Sequence, residues 1–134
     1  MKIILDTNVL VSGIFFSGPP YTILNAWRKR KIELIISPEI FQEYEDISLD
    51  MQEHHHDINV NHFLSLILLN SETCYPDKLP EPVTQDPKDD KFIACAITSK
   101  TKIIVSGDKH LLNVSGYKGI EVLTPRQFFK KYIK

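Results

Sequence analysis

The nine residues KIILDTNVL, Lys2 to Leu10, decide how the rest of this chain is read. Ile3, Ile4 and Leu5 form an apolar run without helical period, and Asp6, Thr7 and Asn8 end it abruptly. A run of that kind is expected in a strand buried on both faces, as in a parallel sheet covered by helices. The polar residues then fall just beyond the strand's carboxyl end, the edge at which open α/β sheets bind ligands. A carboxylate at that edge makes Asp6 the first candidate site residue.

Around this stretch the chain has 134 residues, enough for one domain (residues 1–134) with a real core and few for two. The formal net charge of −1 gives no global field that would draw a polyanion, yet the charges are segregated. Arg28, Lys29, Arg30 and Lys31 form one basic cluster, and Lys130, Lys131 and Lys134 another. Solvated helix ends account for either cluster taken alone. Two cysteines, Cys74 and Cys95, are too few for a disulfide framework, and Cys95 in an apolar run reads as a small core residue. The N-terminus lacks the pattern of a signal peptide, and the longest strongly apolar segment, residues 63–69, is too short to span a bilayer. The expectation is a soluble, cytoplasmic protein with no membrane partner.

Taken in order, residues 9–16 read as a short helix or turn, and Pro20 opens a helix to about Lys31 that buries Ile23, Leu24 and Trp27. Residues 32–36 read as a second strand, and Ser37-Pro38 as the cap and first residue of a helix carrying Ile40, Glu43, Tyr44 and Ile47 on one stripe. Residues 49–61, with His54, His55 and His56, form a polar connection before a helix over residues 61–70. A short edge strand at residues 72–75 and a proline-rich connection follow. Asp86-Pro87 then opens a helix to about Lys100. Residues 103–106 form a clear strand, residues 109–112 a helical turn and residues 121–123 a last strand. Thr124-Pro125 caps a C-terminal helix that buries Phe128, Phe129, Tyr132 and Ile133. Alternating strands and helices predict a parallel sheet with helices on both faces.

Several carboxylates sit where simple patterning would not put them. Asp6 and Asp108 each follow a buried strand, so the shared carboxyl edge can make them neighbours; taken alone, either reads first as a turn or cap residue. Glu43 interrupts the apolar stripe of its helix, either as a buried acid in need of a partner or as an edge position reaching solvent. Asp86 and Asp89 read as cap and first-turn residues. Asp90 shares a helical face with Ile93, Ala94 and Ile97, which would bring it toward Asp6. Carboxylates facing one another need a counter-charge, and oxygen ligands of this kind suit Mg²⁺ or Mn²⁺.

The segments ILDTNVLVSG, SPEIFQEY, DPKDDKFIACAI and IVSGDKHLL, in this order, resemble a PIN domain. The likeness is greatest to the short prokaryotic group described as toxins of toxin–antitoxin pairs. It implies a three-layer α/β/α fold with strand order 3-2-1-4-5. It also implies a metal-dependent endoribonuclease that leaves a 5′-phosphate and a 3′-hydroxyl, with an antitoxin protein as partner. The family's acidic positions correspond to Asp6, Glu43, Asp90 and Asp108 as catalytic and metal-binding residues. Asn8 and Ser106 match supporting polar positions, and Asp86 and Asp89 match less decisively. Many members carry a further acid where this chain has His110, which bears on a second metal ion. An acidic site that accepts RNA needs cations for the phosphate backbone, and Arg28, Lys29, Lys91, Lys109 and His110 are the candidates. An RNA-processing nuclease without an antitoxin and an inactive binding module are the competing readings.

In the helix over residues 61–70, the spacing predicts Phe63, Leu66 and Ile67 in the core, with Leu64 and Leu68 pointing away from it. An exposed apolar strip often marks an interface, so Leu64 and Leu68 are expected to face a second copy, in a homodimer or higher oligomer, or an antitoxin segment.

Overall fold

A computed structural model describes residues 1–133; Lys134, counted in the second basic cluster, lies outside the described residues. Ile3–Leu5 are buried as expected in β1 (Lys2–Leu5), the central strand of a five-stranded parallel sheet. The others are β2 (Glu33–Ile36), β3 (Glu72–Thr73), β4 (Ile103–Val105) and β5 (Glu121–Leu123), in the order β3-β2-β1-β4-β5. Each adjacent pair is parallel, with Lys2 opposite Glu33, Ile4 opposite Ile104, Ile35 opposite Glu72 and Ile103 opposite Glu121. The three inner strands are short and apolar because both of their faces are covered.

Helices α1 (Thr7–Phe15), α2 (Pro19–Arg28), α3 (Pro38–Gln52), α4 (Val60–Asn70), α5 (Asp90–Ser99), α6 (Lys109–Leu112) and α7 (Pro125–Phe128) flank the sheet. Their starts follow the local chemistry: Ser37 Oγ accepts from the Ile40 N–H at the head of α3, and Thr124 and Gln127 cap α7 reciprocally. After Phe128 the chain widens into a π-helical turn, Phe129–Ile133, so Phe128 alone of the expected C-terminal set is fully buried. No helix of the described residues is long and apolar enough to cross a membrane.

Three expectations about burial and ends are revised. α3 runs on to Gln52, taking up part of what read as a polar connection, and Ile47 is exposed on it. His55 packs its ring against Phe15 and Phe16 at 5.3 and 5.6 Å between centroids, so part of the histidine run is anchored. In α4, which begins under an Asn59 cap, the fully buried residues are Val60, Leu64 and Ile67, while Phe63 and Leu66 are partly buried against the core. Leu64, at 5% exposure, is a core residue and not an interface residue, whereas Leu68 and Leu69 are 53% and 79% exposed.

Helices α1 and α2 approach each other closely at Gly13. A methyl group there would lie 2.7 Å from Leu24 Cδ1 and 2.8 Å from the Pro20 carbonyl oxygen. Gly13→Ala is therefore expected to destabilise the fold by about 1–3 kcal/mol despite the higher helix propensity of alanine. Chemical denaturation checks this; a variant as stable as the wild type would show that the two helices separate freely.

Candidate active site

The carboxyl ends of β1 and β4 hold the first two acids. Beyond Leu5, the Asp6 N–H still donates to the Val105 carbonyl at 2.9 Å, so the backbone of Asp6 is fixed by the sheet. Its carboxylate is buried and accepts a hydrogen bond from the Ser106 hydroxyl at 2.6 Å. Ser106 Oγ in turn accepts from the Asp108 N–H at 2.9 Å, while Asp108 caps α6 by accepting from the His110 N–H at 2.8 Å. One serine thus ties the two acidic strand ends together. Below them the Tyr44 hydroxyl donates to the Leu5 carbonyl at 2.5 Å, and burial pushes that phenol well above its ordinary pKa.

Glu43 reaches the same edge from α3, as its place within the apolar stripe suggested. Both of its oxygens have donors: the Thr7 hydroxyl on one, and on the other the Lys91 ammonium at 2.7 Å. The Lys91 side chain is only 7% exposed, also donates to the Lys88 carbonyl and lies 5.1 Å from the centre of the Phe92 ring. Lys91 thus turns inward to neutralise an acid, where sequence reading offered it as a contact for RNA.

The largest revision concerns Asp89 and Asp90. Asp90 Oδ1 accepts from the Thr84 N–H at 2.8 Å and the Thr84 hydroxyl at 2.9 Å, and Oδ2 accepts from the Val83 N–H at 3.3 Å. Its carboxylate is spent on the proline-rich connection and is not turned to Asp6. Asp89 takes the place expected for it: it is buried, its Oδ2 has no hydrogen-bond partner, and Asp108 and Asp6 lie close enough to repel it. The reason is the face that α5 buries: Phe92, Ile93, Cys95 and Ala96 are its core residues, and Asp89 lies three, four and seven residues before Phe92, Ile93 and Ala96. Ala94 and Ile97, expected to carry Asp90 inward, are only partly buried. Asp86 caps the 3₁₀ turn Pro87–Asp89 by accepting from the Lys88 N–H at 3.0 Å, which is the structural role read for it.

Electrostatics identify the crowded group. Burial first, then the charge and hydrogen bonding of Asp108 and the charges of Asp6 and Asp86, together raise the Asp89 carboxyl to about 7. Asp6 is raised in the same way, first by burial and less by Asp108 and Glu43, with the Ser106 hydroxyl and the Thr7 N–H opposing. Asp6, Asp89 and Asp108, with Glu43 beside them, are therefore like charges held together.

Other candidates fall on either side of the sheet. Asn8 and Lys109 are exposed at the carboxyl edge, and half-buried His110 has an Nδ1 without a partner. Arg28, Lys29, Arg30 and Lys31 lie at the opposite edge, in the turn between α2 and β2, where Glu33 pairs beside Lys2. Parallel strands put every helix-to-strand connection at the amino edge, so Arg28 and Lys29 cannot line the acidic site.

The donors are all oxygens, and the Asp89 Oδ2 is buried without a partner; both suit a hard divalent cation. Among the described residues no three carboxylate, histidine or cysteine side chains close around one point as they stand. Glu43 is turned to Thr7 and Lys91, and Asp108 to the end of α6. Residues 2–110 match the family described as the PIN domain, more than half of the chain. No curated protein matches the sequence. The unmatched remainder supplies β5 and α7, and β5 pairs with β4 in the same sheet.

In the absence of bound cation, the native state keeps the Asp89 proton between its ordinary value of 3.8 and about 7, where the unfolded chain has released it. Stability is expected to fall as pH rises through that window and to level off above it. Asp89→Asn should flatten the fall and raise the midpoint at neutral pH, as read by thermal melts in a chelator. An unchanged slope would mean that Asp89 is not the strained acid. Lys91→Met should cost about 1–3 kcal/mol, because it leaves Glu43 partly buried and without its cation. Denaturant titration of that variant measures the loss.

Proposed function

The chain belongs to the PIN-domain family, whose members are generally nucleases, and from that premise we propose that it is a divalent-metal-dependent endoribonuclease. The observation that carries this reading is the set of mutually repelling acids Asp6, Asp89 and Asp108, fixed beside Glu43 at the carboxyl edge of the sheet. Such a group raises the energy of the unloaded protein and is stabilised by a cation that binds only the folded state. Mg²⁺ or Mn²⁺ is the cation proposed. When bound, it supplies Lewis acidity toward a phosphate oxygen and toward water.

The chain's own residues set up that chemistry. Ser106 holds Asp6 and the Asp108 backbone in one arrangement, so the two acids need little reordering when a cation enters. Asp89 offers a free oxygen, and the Lys91 ammonium keeps Glu43 from adding its full charge to the repulsion. Lys109, exposed in the residue after Asp108, would meet a phosphodiester entering from solvent.

The resemblance to short prokaryotic toxins supports a finer reading, the toxin of a type II toxin–antitoxin pair acting on cellular RNA. A second copy or an antitoxin segment would meet α4 through Leu68 and Leu69. A specific observation favours a second function, a module that binds RNA without cleaving it: Glu43 already has a protein cation in Lys91 and so has less need of a metal ion.

Cleavage of defined RNAs with and without Mn²⁺ separates the two. Asp6→Asn should lower the rate on the order of 100-fold or more, the scale of removing one group that stabilises developing charge. Ser106→Ala should weaken Mn²⁺ binding by about 10–100-fold in calorimetry. No heat of Mn²⁺ binding at millimolar concentration, together with intact RNA, would establish the non-cleaving module.

A further inference from the structure

We propose that Cys74 and Cys95 form a reversible disulfide site, closed by a peroxide, that ties the end of β3 to α5. The two thiols are free, and their sulfur atoms lie 3.1 Å apart. That leaves about 1 Å to the bonded separation, a gap of the size that rotation about the two Cα–Cβ bonds covers. Regular structure fixes both partners. The Cys74 N–H donates to the Ile36 carbonyl at 2.8 Å, continuing the sheet, and Cys95 lies fully buried in the middle of α5. The sequence separates them by twenty residues, which is why composition alone did not pair them.

Their surroundings assign an order of events. Cys74 is half-buried and meets the oxidant first. Cys95 is buried and its thiol is pushed well above its ordinary range by burial and by the Cys74 neighbour, so it is inert toward small molecules. Peroxide oxidises the Cys74 thiol to a sulfenic acid and releases one water. The Cys95 sulfur then attacks the Cys74 sulfur, the S–S bond forms and a second water leaves. Two thiols have given two electrons to one peroxide. A dithiol reductant reverses the change by thiol–disulfide exchange.

The covalent ring would enclose residues 75–94. These include Tyr75, Leu79 and Pro80, which wall a cavity of about 700 Å³ with Asp90 and Lys91. They also include Val83 and Thr84, which hold Asp90, and the acid Asp89. Oxidation would thus restrict the connection that positions the start of α5, whatever reaction the site performs.

The test is stoichiometric hydrogen peroxide on the native protein, followed by intact-mass measurement and non-reducing peptide mapping. The expected product has lost two hydrogens, carries a Cys74–Cys95 crosslink, melts several degrees higher and returns to the starting mass with dithiothreitol. Cys74→Ser, at the more exposed position, should fold normally and lose the crosslink and the shift in melting. Sulfinic acid at Cys74 without a crosslink, a disulfide between two molecules, or full thiol titre after treatment would each overturn the proposal.

Discussion

Like charges held in a half-buried space repel, and the architecture around the carboxyl edge of the sheet follows from tolerating that repulsion. Asp6 cannot retreat, because its own N–H is still paired with Val105 in the sheet. The neighbours therefore adapt. Ser106 gives Asp6 a hydroxyl proton, α6 gives Asp108 an N–H, and Thr7 and Lys91 satisfy Glu43. Asp89 is left with the residual strain, visible as a carboxyl that holds its proton to about 7. A packed core beneath, from Leu5 through Tyr44 to Ile104, keeps these groups from relaxing apart.

The sheet was legible in the sequence because burial on both faces leaves a continuous apolar run, and Ile3–Leu5 and Ile103–Val105 both show one. Pro20, Ser37-Pro38 and Thr124-Pro125 marked helix starts because each supplies local backbone chemistry at a fixed offset. Strand order came from resemblance, since no local signal says which strands are neighbours. Glu43 was found because a charge within an apolar stripe requires an explanation.

What failed did so for physical reasons. The exchange of Asp89 for Asp90 turned on which of two stripes of α5 faces the core: Asp90 lines up with Ile93, Ala94 and Ile97, Asp89 with Phe92, Ile93 and Ala96, and only the second stripe is fully buried. The burial of Leu64 was hard to read because α4 is apolar around much of its circumference, so Val60, Leu64 and Ile67 compete with Phe63, Leu66 and Ile67 as the inward row. The inward turn of Lys91 is a tertiary choice made by Glu43, distant in sequence. The placement of Arg28 and Lys29 was recoverable in principle, because in a parallel sheet any residue between a helix and the next strand belongs to the amino edge.

That placement gives the molecule a polarity its net charge of −1 conceals. Four cations gather at one edge of the sheet and the repelling acids at the other, separated by the height of a four-residue strand, about 13 Å. This exceeds the screening length of roughly 8 Å at physiological ionic strength, so the two ends act on their surroundings almost independently. A polyanion approaching from solution would be drawn first to the end that bears the four cations. Capture and arrival at the acidic edge would then be separate events. A long strand could remain held at one end of the protein while its far part reaches the other, whereas a short one would have to let go.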